Sequence, residues 1–480
     1  MNLSKIGIKW FLFSILTAVV SFLGMIYFSR ILGAKILGIY FLFLSVLTVF
    51  NLFTNIGLQS ATIKRISEGT QQSEIATASL LFRLGSFTLF ALIILVFEDN
   101  LDTYMGAGLS RYLILILGLT QFSDIFREIL HGEQKVDIGG AYDFIQQFMR
   151  VAFQSSLIFL GFEIFGMIMG LGIGILISVL VCSRFVSVSI KTPKRSHFES
   201  LFSYSKFSFG NALGGYLYEW VGILVIGFFL TQEYAGVYGV AWGLSATFLL
   251  LSHAVANSIY PRISELSTRN KKDEIAGLYS DGLIYSPLLV IPGFFGALVV
   301  TNEILGTIYG EDFKMGYTAL IILMLARVFQ SMQIVSVRII EGINQPNLVF
   351  RVNTATTIIN IIGTFLLVYI FGFIGAAIST VLTIFISFVW NTKTACKELS
   401  VKIPAKEIAY EVFSAIVMGI IVFGISKKVM FSYMPNLIIA IFIGAIIYFA
   451  VLLFLSEHFR SKCLSILNEI MNKNSKAVEI

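Results

Sequence analysis

Stretches of about twenty apolar residues recur along the whole chain, each closed by a short polar segment. As helix, rising about 1.5 Å per residue, such a stretch crosses a hydrocarbon core of about 30 Å. The pattern predicts fourteen spans: 9–29, 38–58, 76–97, 111–131, 140–160, 165–185, 206–230, 235–258, 280–301, 316–338, 352–371, 374–392, 407–427 and 434–456. The shortest connections hold a few residues, as at Gly161 to Ile164, and none is long enough to fold as a soluble domain. The expected fold is an all-α integral membrane protein.

Composition agrees with that pattern. Of 480 residues, 57% are hydrophobic and 13% charged, about half the charged fraction of a soluble domain. Soluble enzymes, secreted disulfide scaffolds and disordered chains are excluded. Cys182, Cys396 and Cys463 lie far apart, the four His are scattered, and neither set has a metal-ligand spacing. No cofactor is expected. The net charge of +6 reads as basic cytoplasmic loops rather than a nucleic-acid surface. The first apolar stretch follows Lys5 and Lys9 without an A-x-A-like cleavage site, which marks it as a retained span.

Charge along the chain orients the spans. With the N-terminus inside, the inside segments hold 23 Lys and Arg and the outside segments six, the latter being Arg30, Lys35, Arg111, Lys314, Lys427 and Lys428. That asymmetry predicts a plasma-membrane protein with both termini cytoplasmic. The runs Lys191–Arg195 and Arg269–Lys272 read as topology determinants.

The chain also repeats itself. Gly38-Ile39-Tyr40 returns as Gly236-Val237-Tyr238, and Lys64–Glu68 (K-R-I-S-E) returns as Pro261–Glu265 (P-R-I-S-E). Phe162, Gly166, Ile175, Ile177 and Ser178 fall opposite Phe371, Gly375, Ile384, Ile386 and Ser387. The repeat covers six spans, so both copies enter from the same side. The expected divisions are an N-terminal lobe at 1–190, a second lobe at 191–395, and two further spans with a tail at 396–480. Parallel repeats of this kind are a scheme of secondary transporters.

The motifs Ser29–Tyr40 (SRILGAKILGIY) and Asn55–Glu68 (NIGLQSATIKRISE) resemble the start of Wzx-type oligosaccharide and polysaccharide flippases. That family sits within the multidrug/oligosaccharidyl-lipid/polysaccharide exporter superfamily. Further along, Glu219–Leu230, Ala235–Trp242, Tyr260–Leu266, Ile308–Phe313, Glu341–Pro346 and Phe371–Thr380 continue the resemblance. It extends over about residues 5–455. Two positions depart from the family pattern: Glu219 stands where relatives usually carry Asp, and Phe209-Gly210-Asn211 where many have Pro. The resemblance implies transport of a polyprenyl-diphosphate-linked glycan between leaflets, with twelve core helices in two lobes and two more at the C-terminus. It also implies membrane lipids and glycan assembly proteins as partners, and no covalent chemistry.

Charges inside the spans are costly, about 2.5 to 3.5 kcal/mol each at mid-bilayer, and mark candidate sites. The basic ones are Arg83, Arg127, Arg150, Lys206 and Arg327; the acidic ones are Asp124, Glu128, Asp143, Glu219 and Asp281. A diphosphate suits the forked guanidinium of Arg. The expected substrate-binding residues are Arg83, Arg150, Arg327, Glu219, Lys206 and Asn211, with Tyr216, Tyr218 and Asn257 for sugar hydroxyls. Asp124 with Arg127, and Glu128 with a neighbour, are expected as structural ion pairs, and His253 as a packing residue. Pro287, Pro292, Gly293 and Gly296 make span nine the expected bending element, a fixed kink being the alternative.

Two other function classes stay open. A drug/cation antiporter would need an acid deep in the first lobe, and span one, Trp10 to Ser29, has none. A membrane glycosyltransferase or polymerase would need a large loop with catalytic residues, and Glu98–Ser110 is too short.

Overall fold

The computed structural model describes residues 3–427 and 433–465, without the side chains of 3–8, 10–11, 207–208 and 210–213. Asn211, the Lys5 side chain, Lys428, Lys473 and Lys476 therefore lie outside the described residues. Seventeen α-helices and short 3-10 and π turns make up the described secondary structure, with no strand among them.

The expected spans fall mainly on helix. The first two lie in one element, α1 (Leu3–Asn55), which bends at Gly33 with φ of 70°. A side chain is strained in that left-handed backbone, so glycine marks the joint. There follow α2 (Leu58–Ser67), α3 (Gln72–Val96), α4 (Glu98–Met105), α5 (Ser110–Gly132), α6 (Val136–Phe159), α7 (Glu163–Cys182) and α8 (Arg195–Phe229). The remainder are α9 (Gln232–Thr247), α10 (Leu250–Thr268), α11 (Lys272–Tyr285), α12 (Val290–Glu303), α13 (Tyr317–Gly342), α14 (Pro346–Phe371), α15 (Phe373–Leu399), α16 (Ala405–Ser426) and α17 (Met434–Leu455). By length and apolarity alone, nine described helices qualify to cross a membrane, and ten if the bent pair α9 and α10 is one span. The expected number is larger because α1 holds two spans and several helices carry charge.

The chain divides into two compact units, one of residues 1–240 with 357–376, the other of 241–356 with 377–480. In the first, α2, α3, α5 and α8 pack around Leu58, Ala61, Ile66, Ala78, Ile129 and Leu201. Helix α7 presses on α6 along a ridge of glycines: Cβ atoms at Gly170 and Gly174 would come within 2.6 Å of Gln154 N and 2.8 Å of Arg150 N. Small residues at four-residue spacing let membrane helices approach backbone to backbone, where dispersion replaces the absent hydrophobic drive. In the second unit, Ile263, Tyr279, Val335, Ile339 and Ala395 form one core. A second joins α12 to the antiparallel hairpin of α16 and α17 through Ile291, Met418, Val422 and Tyr448.

The repeat is visible in the packing. A Cβ at Gly132 would fall 2.7 Å from Ile66 Cγ2, and one at Gly342 would fall 2.6 Å from Ile263 Cγ2. Both isoleucines are those of the repeated R-I-S-E. The turns after these glycines hold Gln134 at φ 60° and Asn344 at φ 62°. More telling, the two glycines of the repeated G-x-Y motif meet each other. A Cβ at Gly38 would sit 1.7 Å from the Gln232 carbonyl oxygen, and one at Gly236 would sit 1.9 Å from the Ala34 carbonyl oxygen. Ala34 stands to Gly38 as Gln232 does to Gly236, so the contact is reciprocal about a local two-fold axis, like an isologous interface.

Span nine is broken, as its prolines predict. Helix α11 ends at Tyr285 and α12 starts at Val290. Val290 N and Ile291 N both donate to Pro287 O at 2.9 Å. The Ser286 carbonyl, left without its usual donor, accepts from Ser252 Oγ on α10 at 2.7 Å. His253, expected as a packing residue, is instead exposed on α10.

The close glycine crossing gives a paired prediction. Gly236→Ala forces α1 and α9 apart and should destabilise the protein by about 1–3 kcal/mol. Gly243→Ala, two turns further along the same helix, meets open space and should stabilise by roughly 0.5–1 kcal/mol through helix propensity. Thermal unfolding in detergent reads both; equal shifts would contradict the crossing.

Candidate functional site

The deepest charge in the first unit is Arg83 on α3, fully buried. Its Nη2 meets Glu128 Oε1 of α5 at 2.5 Å and donates to Asn55 Oδ1 of α1 at 3.3 Å. Nη1 donates to Gln121 Oε1, also on α5, at 3.4 Å. Gln121 and Glu128 are seven residues apart and so share a helix face, as do Asn51 and Asn55. The network continues outward: Gln121 donates to Asn51, and Asn51 Nδ2 donates to Asp124 Oδ2 at 3.5 Å. Asn55 Oδ1 also accepts from Gln59 N at 3.0 Å, which ties the start of α2 to the same cluster.

Glu128 therefore is the expected partner-bearing acid, and its partner is Arg83. Arg127 pairs with Asp143 of α6, at 3.6 Å, while Asp124 accepts from Asn51 and also lies within electrostatic reach of Arg127 on its own helix. Sequence spacing shows the i, i+3 neighbour on the same helix, whereas Asp143 comes beside Arg127 only through the packing of α6 on α5. Around Tyr216 of α8, Asp124, Arg127, Glu128 and Glu219 all lie within electrostatic reach. Glu219 and Lys206 are exposed on α8.

Arg150 stands differently. It is half-buried on α6, its Nε has no hydrogen-bond partner, and among the described residues it forms no ion pair. The glycine ridge of α7 holds its backbone in place, since Gly174 leaves no gap there. Arg150 thus has a fixed backbone and a guanidinium with donors to spare.

Arg327, in the second unit, is 2% exposed on α13. Its guanidinium lies 4.1 Å from the centre of the Trp242 ring on α9, a cation–π contact. Nε donates to Ser245 Oγ at 3.2 Å and Nη1 to Gln330 Oε1 at 2.6 Å. Gln330 is separated from Gln121 by the same interval as Phe371 from Phe162, so equivalent glutamines of the two repeats each hold an arginine. The structure thus brings Arg83 together with Glu128 and places Glu219 near the same acids, while Arg150 sits apart. Sequence reasoning missed Asn51, Asn55 and Gln121, whose i, i+4 and i, i+7 spacing in apolar spans was the available signal. It also missed Trp242, which no local pattern links to Arg327.

A family model described as polysaccharide biosynthesis protein matches residues 27–318. Over 448 residues the chain is 33% identical to the probable low-salt glycan biosynthesis flippase Agl15 of Haloferax volcanii, covering 93% of this chain and 95% of that protein. The chain belongs to this polysaccharide biosynthesis protein family. The printed name of that relative, a glycan biosynthesis flippase, agrees with the family resemblance carried by the sequence motifs. Among solved structures, lipid II flippase MurJ in an inward closed conformation matches with a TM-score of 0.77 and 17% identity, over 92% of this chain and 98% of that one. An inward-facing multidrug resistance MATE family transporter of the MOP superfamily matches at 0.66 and 16% identity, over 80% and 94%. Both likenesses establish the fold, an all-α bundle of membrane-crossing helices.

The Arg83–Glu128 pair yields a stability prediction for this family member. Glu128→Ala leaves a buried guanidinium unpaired and should lower stability by about 3–5 kcal/mol. Replacing both residues, as Arg83→Met with Glu128→Leu, should recover most of that loss. Thermal melts of the single and double variants decide it, and additive losses would show that the pair is not coupled.

Proposed function

We propose that this chain carries a polyprenyl-diphosphate-linked oligosaccharide or polysaccharide unit across the cytoplasmic membrane by alternating access. The observation that carries the reading is the relative named a glycan biosynthesis flippase, similar over nearly the whole of both chains. The named fold neighbour, a lipid II flippase, points the same way. No bond is made or broken, so the work left to side chains is to meet a charged headgroup that leaves water.

Within that reading Arg150 and Arg327 take the phosphates. Arg150 has unpartnered donors, and Arg327 is a guanidinium fixed by an indole, a hydroxyl and an amide, ready to add a charge-assisted bond. Arg83, closed off by Glu128 in this conformation, would join them only in a state that opens the pair. Lys206 and Glu219 on the exposed face of α8 serve the polar glycan, and Asn211 belongs to the same proposal by its position in sequence. The lobes are those at 1–190 and 191–395, with the tail segment 396–480 added, and both termini face the cytoplasm. Glycan assembly proteins are the proposed partners on the membrane.

Reconstituted protein should move a fluorescent polyprenyl-diphosphate sugar between leaflets. Arg150→Ala and Arg327→Ala, each folded and inserted, should slow that movement about tenfold or more, as loss of one charge-assisted contact of about 1.5–3 kcal/mol implies. Wild-type rates in both would remove these residues from the site. Movement of cationic dyes without lipid-sugar movement would make the protein an antiporter.

A further inference from the structure

Glu411, on α16, is 1% exposed, and its Oε2 has no hydrogen-bond partner among the described residues. No described cation pairs with it. It lies one helical turn beyond Glu407 on the same face, which surrounds it with like rather than opposite charge. From α17 the neighbouring group is Tyr448, 0% exposed, whose hydroxyl is likewise buried without a partner. Tyr448 forms part of the wall of an apolar cavity of about 430 Å³, lined also by Gly296, Met324, Met418 and Phe449. An ionised carboxylate held there without a partner is costly by several kcal/mol, whereas a carboxylic acid is neutral and has a proton to give.

The surroundings also supply a way in. Asp281 and Tyr285 face this cluster from α11, and His458 and Cys463 from the segment after α17. His458 Nε2 is 3.4 Å from Asp281 Oδ1, both partly exposed, and its ring stacks on Tyr285 with centroids 6.0 Å apart. Glu407 Oε2 accepts from Ser456 Oγ at 2.5 Å. Lys406 is turned to the Tyr410 ring. Helix α12 adds no titratable group at this level, its one ionisable side chain being Glu303 at the far end, and Arg327 of α13 is engaged with Trp242 and Ser245. Titratable groups therefore run from the half-exposed His458 and Asp281 to the wholly buried Glu411.

We propose that Glu411 is a proton-binding site, occupied when buried as it is here and emptied when a conformational change wets the α16–α17 hairpin. The proton is taken up and released as such, with no other bond changed. The site gives the transport reading a coupling ion, and it rests on that reading only for its purpose. Its existence is a property of the folded chain.

Difference infrared spectra of the full chain in lipid nanodiscs, wild type against Glu411→Gln, test it. The expected result is a protonated-carboxyl C=O band at neutral pH that vanishes in Glu411→Gln. In a second variant, Tyr448→Phe, the band should persist but shift, because the hydroxyl beside the acid is gone. Absence of the band in both wild type and Tyr448→Phe means an ionised Glu411 and overturns the proposal. Loss of the band on adding sodium chloride at constant pH also overturns it, by making the occupant a metal cation. Lipid-sugar movement without the band removes the proton site and leaves the flippase; the band without lipid-sugar movement leaves the proton site and removes the flippase.

Discussion

Where Gly38 of α1 crosses Gly236 of α9, backbone meets backbone, and no side chain of any size fits between them. Lipid offers helices little hydrophobic incentive to associate, so contact has to come from close packing of this kind. The crossing places Phe41 against Gly239, sets Tyr238 against Gly222, and so fixes α8 beside α9. The second glycine ridge, on α7, does the same for α6 and hence for Arg150. Positions of the polar groups follow from these two backbone contacts more than from attraction between the polar groups themselves.

Charge is the second constraint. Within the apolar spans the arginines found two kinds of answer: Arg83 and Arg127 each an acid on another helix, Arg327 an aromatic face with neutral acceptors. Arg150 and Glu411 found none among the described residues. A transporter has reason to keep such groups, because an interaction left unmade in one conformation is available in the next. The residues that lack partners are thus the ones assigned work here, the first with phosphate and the second with a proton.

The fold was legible in the sequence because bilayer thickness imposes a length on every apolar run. The fourteen stretches fall mainly on helix, with 235–258 and 280–301 interrupted by breaks, and the doubled G-x-Y and R-I-S-E motifs pointed to the duplication that the packing displays. Pro287 announced the break between α11 and α12. The site was less legible. Depth in a span can be read from sequence, which put Arg150, Glu219 and Arg327 near mid-span and Arg83 closer to a cytoplasmic end, but partnership cannot. Arg83 and Glu128 are on separate spans, and of the two acids that face Arg127, Asp124 is visible from local spacing while Asp143 is not. Glu411 escaped notice as it stands close to the polar start of its span, where an acid looks like an interfacial residue until burial shows otherwise.

The pair of Arg83 and Glu128 has a consequence for how the protein is made. The chain is synthesised from its N-terminus, and the arginine emerges 45 residues before its acid. Until α5 arrives, α3 carries an uncompensated guanidinium that a bilayer interior resists. Stable integration of α3 is therefore tied to the synthesis of α5, and the two helices enter the membrane as one delayed unit with α4 held between them.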